Sequence, residues 1–177
     1  CDAHGIDWHE VLPRLHGVRM YDSVKAFTPP GVDVQAEYET LYAEEVEDID
    51  GIVPIRGAPE LLASLPPEAW TIVTSADTVL AKARLGAAGI DVPPSMVTGE
   101  MVTRGKPDPE AYLLGAKRMN APARDCLVFE DARAGIEAGR AAGAQVVAIA
   151  GDHPGEVPGG VDWETDMAQS RLSGAAA

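Results

Sequence analysis

The sequence predicts an α/β protein: a parallel sheet covered by helices, with a smaller helical segment ahead of it. Two observations carry this. From Gly51 onward, short apolar runs alternate with helix-length stretches bounded by capping and stop residues, the pattern of right-handed βαβ units. The run Cys126–Phe129 is also apolar without alternation, as in a strand buried on both faces, and it ends in two adjacent carboxylates, Glu130 and Asp131.

Residues 1 to about 55 suggest helices and no convincing strand. Leu15–Phe27 carries a break at Gly17, and Asp22 or Ser23 could cap a short helix there. The loop Thr28–Asp33 leads into Asp33–Asp50, which holds eight acids and no base, with Val34, Tyr38, Leu41, Tyr42 and Val46 at helical spacing. A solvated acidic face is a sufficient explanation of that charge. Pro59–Leu65 then reads as a short helix and Trp70–Val73 as a partly β-branched strand. Asp77 caps a helix that stops at Gly89, and a weaker strand lies near Met96–Thr98. Pro109–Met119 is the next helix, followed by the strand at Cys126, a helix running to Gly143, and a last strand at Gln145–Ile149. After Ala150 the chain is rich in Gly, Pro and acids, and is expected to be loop with one weak helix and frayed final residues.

A chain of 177 residues is long enough to bury a core. Its 28 acids against 14 bases, a formal charge of −14, argue against nucleic acid or an anionic membrane as partner. No stretch has the length of a membrane span, and the opening residues resemble no signal peptide. The two cysteines, Cys1 and Cys126, support no disulfide framework and suggest a reducing, cytoplasmic setting. His4, His9, His16 and His153 show no metal-ligand spacing.

Three stretches bear chemistry. Thr74, Ser75 and Ala76 lie between a predicted strand and a helix, where hydroxyls and backbone N–H groups can cradle a phosphate; a plain turn is the alternative. Lys106 sits in Arg104–Pro109, whose prolines stiffen the backbone around a cation, although a solvated loop lysine would look the same. Glu130 and Asp131 project from a sheet's carboxyl edge, where ligands bind, and suit a hard cation such as Mg²⁺; capping of the following helix is their alternative role.

Taken together, T-S-A-D after an apolar strand, G-K-P-D-P-E-A-Y, and V-F-E-D-A-R-A-G-I-E-A-G-R-A-A-G closely resemble the second, third and fourth motifs of the haloacid dehalogenase superfamily. L-H-G-V-R-M-Y-D-S-V resembles the cap segment of its sugar-phosphate and glycerol-phosphate phosphatases. The resemblance implies a Rossmann-like core over residues 56–177, a helical cap over 1–55, and Mg²⁺-dependent hydrolysis of a small phosphorylated sugar or polyol. It implies catalytic roles for Ser75 and Lys106, substrate contacts from Thr74, Ser75, Ala76 and Lys106, with Arg19 and His16 from the cap, and metal binding by Glu130 and Asp131. Electrostatic clamping of this kind is what phosphoryl transfer chiefly demands. Small residues Ala134, Gly135, Ala138, Ala141 and Ala142 would let the following helix lie close to the sheet.

One departure stands out. The family's first motif, an apolar strand followed by Asp-x-Asp-Gly-Thr, supplies a nucleophilic aspartate and a general acid and base. By resemblance it should lie upstream of Cys1, which would remove the central strand and leave its neighbours with unpaired backbone. Asp48-Ile49-Asp50-Gly51 spells a similar string but follows the acidic helix, and Ile52 stands where Thr is expected. Two other functions fit the motifs: a sugar phosphomutase, disfavoured because Met20 occupies the register of the mutase arginine, and an inactive phosphate- or metal-binding fragment. Dehalogenation has no use for the acidic pair.

Overall fold

The computed structural model describes residues 4–149 and 162–164. Its first helices are α1 (Trp8–Val11), α2 (Met20–Phe27) and α3 (Val34–Glu47). Asp33 caps α3 by accepting from the N–H groups of Gln35 and Ala36. Tyr21 on α2 meets Tyr38 on α3 edge to face, with ring centroids 5.4 Å apart. Val34, Tyr38, Tyr42 and Val46 form the half-buried stripe that the periodicity predicts, while Leu41 is exposed. Neither Asp22 nor Ser23 caps α2. Arg19 occupies that position without a side-chain cap bond, and Asp22, in the first turn, pairs with it instead. Asp48 is the C-cap of α3, and Asp48 and Asp50 are both exposed.

The rest of the chain supplies α4 (Ala58–Ser64), α5 (Thr78–Ala87), α6 (Glu110–Arg118), β1 (Leu127–Glu130), α7 (Arg133–Ala141), β2 (Gln145–Ile149) and β3 (Asp162–Glu164). The strands form one parallel sheet in the order β1-β2-β3, with Val128 opposite Val146 and Ala148 opposite Trp163. β3 corrects the expected loop or weak helix beyond Ala150; a strand this short has no pattern of its own and exists by pairing with the outer edge of β2. The remainder of that expectation lies outside the described residues. β1 is less buried than predicted, because Leu127 is 39% exposed while Val128 is buried.

The strands expected at Trp70–Val73 and Met96–Thr98 reduce to a single parallel bridge between Val73 and Val97. Val97 donates to Ile72 O at 2.8 Å and accepts from Thr74 N at 2.9 Å. Ahead of Val97 the chain turns instead of pairing: Met96 N donates to Pro93 O at 3.1 Å, and Pro93 and Pro94 have no N–H to give a ladder. Among the described residues no strand lies between Val73 and β1. Side chains join the two parts: Val73 packs both on the cluster of Val97, Val102 and Ala111 and on that of Tyr112, Val128 and Ala138. Thr71 Oγ1, in the same segment, is buried with no hydrogen-bond partner among the described residues. No helix among the described residues is long and apolar enough to cross a membrane.

Asp77 ties the two regions together. It caps α5 through the N–H groups of Val79 and Leu80, at 2.8 and 3.0 Å, and accepts from Tyr42 Oη at 3.0 Å. Burial first, and then this carboxylate, pushes the Tyr42 phenol up to about 12, so it remains a donor. Asp77→Ala is expected to destabilise the protein by about 1 kcal/mol. An unchanged urea midpoint would contradict that role.

Candidate active site

Loops at the carboxyl ends of the parallel segments open into one cleft of about 770 Å³. Thr74, Ser75, Ala76, Lys106, Glu130 and Asp131 line its core side, and His16 and Gly17 line the side formed by the N-terminal helices. Arg19 is not among the lining residues.

The centre of the site is a buried ion pair. Lys106, 6% exposed, donates from Nζ to Glu130 Oε2 at 2.9 Å and to the carbonyl of Val73 at 3.2 Å. It therefore links the segment after Trp70 to the end of β1, across the interval where the sheet is discontinuous. Such a pair is favourable only where further hydrogen bonds satisfy the charges, and Tyr112 on α6 supplies them. Its hydroxyl donates to Glu130 Oε2, and its ring lies 4.7 Å from Lys106 Nζ. Burial, followed by the Glu130 charge, raises the Tyr112 phenol well above its ordinary range, so it stays protonated and donating.

Gly135 makes room for this carboxylate. A Cβ there would lie 2.1 Å from Glu130 Cδ, so Glu130 rests directly against the first turn of α7. Ala132 is the N-cap of α7 and no side chain caps it; Glu130 Oε1 reaches Ala132 N only at 3.4 Å. The acidic pair is thus not a capping device: Glu130 faces Lys106, and Asp131 is exposed on the cleft.

The hydroxyls are also engaged. Ser75 Oγ donates to the carbonyl of Gly17 at 2.6 Å, and Thr74 Oγ1 accepts from Ala76 N at 3.1 Å, closing the turn. Gly17 is more than a helix break. Its φ is +77°, and a Cβ there would meet the Ala132 methyl at 2.7 Å. Arg19, expected at the substrate, instead sends its guanidinium into backbone carbonyls of Gly99, Val102 and Thr103. Sequence reasoning overlooked Tyr112; the available signal was a tyrosine within G-K-P-D-P-E-A-Y on a buried helix face, where its hydroxyl needs a partner.

Two adjacent carboxylates at a cleft suit Mg²⁺, which takes one or two protein carboxylates and completes its shell with water and phosphate oxygens. Among the described residues no group of three or more His, Cys, Asp and Glu side chains forms an all-protein cage. Carboxylate oxygens are donors of the kind a hard cation such as Mg²⁺ takes, whereas a structural zinc takes thiolates and imidazoles.

A parallel α/β core thus carries, at the ends of its strands, a buried lysine–carboxylate pair and an exposed acid that share one cleft. Residues 16–143 match the haloacid dehalogenase-like hydrolases, and the chain belongs to that family. Hexitol phosphatase A of Escherichia coli is 39% identical over 159 residues, covering 88% of this chain and 73% of that enzyme. Glycerol-1-phosphate phosphohydrolase 1 of Saccharomyces cerevisiae is 34% identical, covering 84% of this chain and 64% of its own length. Among solved structures, β-phosphoglucomutase from Clostridium difficile superposes with a TM-score of 0.76 at 21% identity, covering 94% of this chain and 79% of that one, a likeness of fold.

Proposed function

We propose that the protein acts in the Mg²⁺-dependent hydrolysis of a small phosphorylated polyol or sugar, with residues 1–55 as a helical cap over the 56–177 core. The observation that carries this reading is the buried Lys106–Glu130 pair opening onto the same cleft as Ser75 and Asp131. The relatives named for hexitol and glycerol phosphates support the substrate class.

In this reading Lys106 neutralises charge on the transferring phosphoryl group, and the Ser75 hydroxyl exchanges the Gly17 carbonyl for a phosphoryl oxygen. Thr74 and Ala76 hold the turn that aims Ser75, and His16 faces the organic part of the substrate from the cap. Asp131, with Glu130, would hold Mg²⁺, which supplies positive charge to the phosphoryl oxygens. The nucleophilic aspartate would come from a segment preceding Cys1; the discontinuity between Val73 and β1 is in keeping with a strand there. A cytoplasmic setting, in keeping with the free thiol of Cys126, belongs to the same reading.

Arg19 is committed to Asp22 and to backbone carbonyls, which supports a phosphatase over a mutase that needs an arginine for a second phosphate. The test is product analysis with hexitol, glycerol and hexose phosphates, using the natural gene product that contains this chain. Free phosphate that depends on Mg²⁺ is expected, and isomerised sugar phosphate without release would overturn the reading. Ser75→Ala is expected to lower kcat about 10²-fold through the loss of one phosphoryl-binding donor.

A further inference from the structure

Arg19 and the loop that carries Lys106 are built around each other. The guanidinium donates through Nη1 to Val102 O at 3.0 Å and Gly99 O at 3.5 Å, and through Nη2 to Thr103 O at 3.3 Å, while Nε bonds Asp22 Oδ2 at 2.6 Å. Two glycines make the space. A Cβ on Gly105 would lie 2.8 Å from Arg19 Nε, and one on Gly99 would lie 3.3 Å from Arg19 Cγ and 2.3 Å from Ser75 O. From the other side Glu110 holds the same loop, accepting from the N–H groups of Thr103 and Arg104 at 2.8 and 2.9 Å. The loop thus has both its carbonyls and its amides fixed, immediately before Lys106.

We propose that Arg19 is a positioning residue: it locks the 99–105 loop so that Lys106 presents its ammonium to the phosphoryl group, and thereby couples the seating of the N-terminal helices to phosphate binding. This rests on the reading of Lys106 as the phosphate-binding cation. A planar fork with five donors suits three carbonyls and the Asp22 carboxylate, four acceptors against the three donors of a lysine. Such a role differs from a specificity contact in a measurable way. A residue touching the organic part of the substrate affects phosphate esters alone, whereas one acting through Lys106 affects every phosphoryl ligand equally.

The test is calorimetric titration, in Mg²⁺, with inorganic phosphate and with a non-hydrolysable polyol phosphonate. Arg19→Ala is expected to weaken both ligands by the same factor, about tenfold, equivalent to about 1.4 kcal/mol, with Arg19→Lys intermediate. Millimolar guanidinium should restore binding to Arg19→Ala but not to Lys106→Ala. Gly105→Ala keeps Arg19 but crowds its Nε, and since Gly105 has no left-handed φ it carries the test if Arg19→Ala fails to fold. Loss confined to the phosphonate, or unchanged affinity for both ligands in Arg19→Ala or Gly105→Ala, overturns the proposal. If Lys106→Ala binds phosphate as well as the parent protein, or the parent binds none, the phosphate-site reading itself falls, and the role of Arg19 with it.

Discussion

Lys106→Ala is expected to destabilise the protein by about 3 kcal/mol and to reduce phosphate-ester hydrolysis about 10³-fold. The stability effect follows from burial. The Glu130 side chain is 10% exposed and relies on Lys106 and Tyr112, so removing the cation leaves a carboxylate shielded from water with one phenolic donor. The ion pair itself contributes little beyond what well-packed neutral groups would, since its Coulomb gain is offset by desolvation. A neutral replacement of both partners should therefore separate the two effects. Lys106→Met combined with Glu130→Gln keeps an acceptor for Tyr112 and removes both charges. That double variant is expected to recover stability to within about 1 kcal/mol of the parent while remaining inactive. Urea denaturation of the parent, Lys106→Met, Glu130→Gln and the double variant forms the cycle. Lys106→Met as stable as the parent would show that Glu130 needs no cation; a double variant as unstable as Lys106→Met would show that packing, not charge, is at stake.

Local signals in the chain were sufficient for most helices. Asp77 begins α5 as its cap, and Gly89 and Gly143 follow α5 and α7 with positive φ. β1 and β2 were legible as unbroken apolar runs. What escaped were features set by distant partners. The runs Trp70–Val73 and Met96–Thr98 have strand composition, but a strand is defined by its neighbours, and these two meet only at Val73 and Val97. β3 has no apolar pattern and depends on the edge of β2. Within the site, residue order was informative: Ser75, Lys106 and the adjacent Glu130 and Asp131 come from three separate segments and meet at one cleft. The direction of side chains was not. Arg19 looks like a substrate contact by type and position, yet its carbonyl partners lie 80 or more residues further along the chain. Gly135 looked like a spacer between helix and sheet, a role that Gly139 fits better, since its Cβ would meet Val146 Cγ2 at 3.0 Å.

Gly135→Ala separates those two roles. On helix propensity alone alanine should stabilise α7 by about 1 kcal/mol. Steric contact opposes this: the new Cβ would stand 2.1 Å from Glu130 Cδ and 2.3 Å from Oε1, far inside the roughly 3.5–4.0 Å at which carbon atoms rest. A flexible side chain could simply turn away, but Glu130 is held by Lys106 and Tyr112, and turning away abandons both. The buried lysine then loses its counter-charge, a penalty of about 3 kcal/mol that exceeds the propensity gain. Net destabilisation of about 2 kcal/mol is therefore expected. The Mg²⁺ concentration for half-maximal activity should rise as well, because the same carboxylate is proposed to serve the metal. Gly139→Ala is the control. It presses on one valine methyl rather than on the ion pair, and should change stability by less than about 1 kcal/mol without moving the Mg²⁺ requirement. Equal effects from the two alanines would mean that α7 needs small residues only to approach the sheet. A selective effect at Gly135 would mean that this glycine is there for Glu130, and that the backbone of α7 forms one wall of the site.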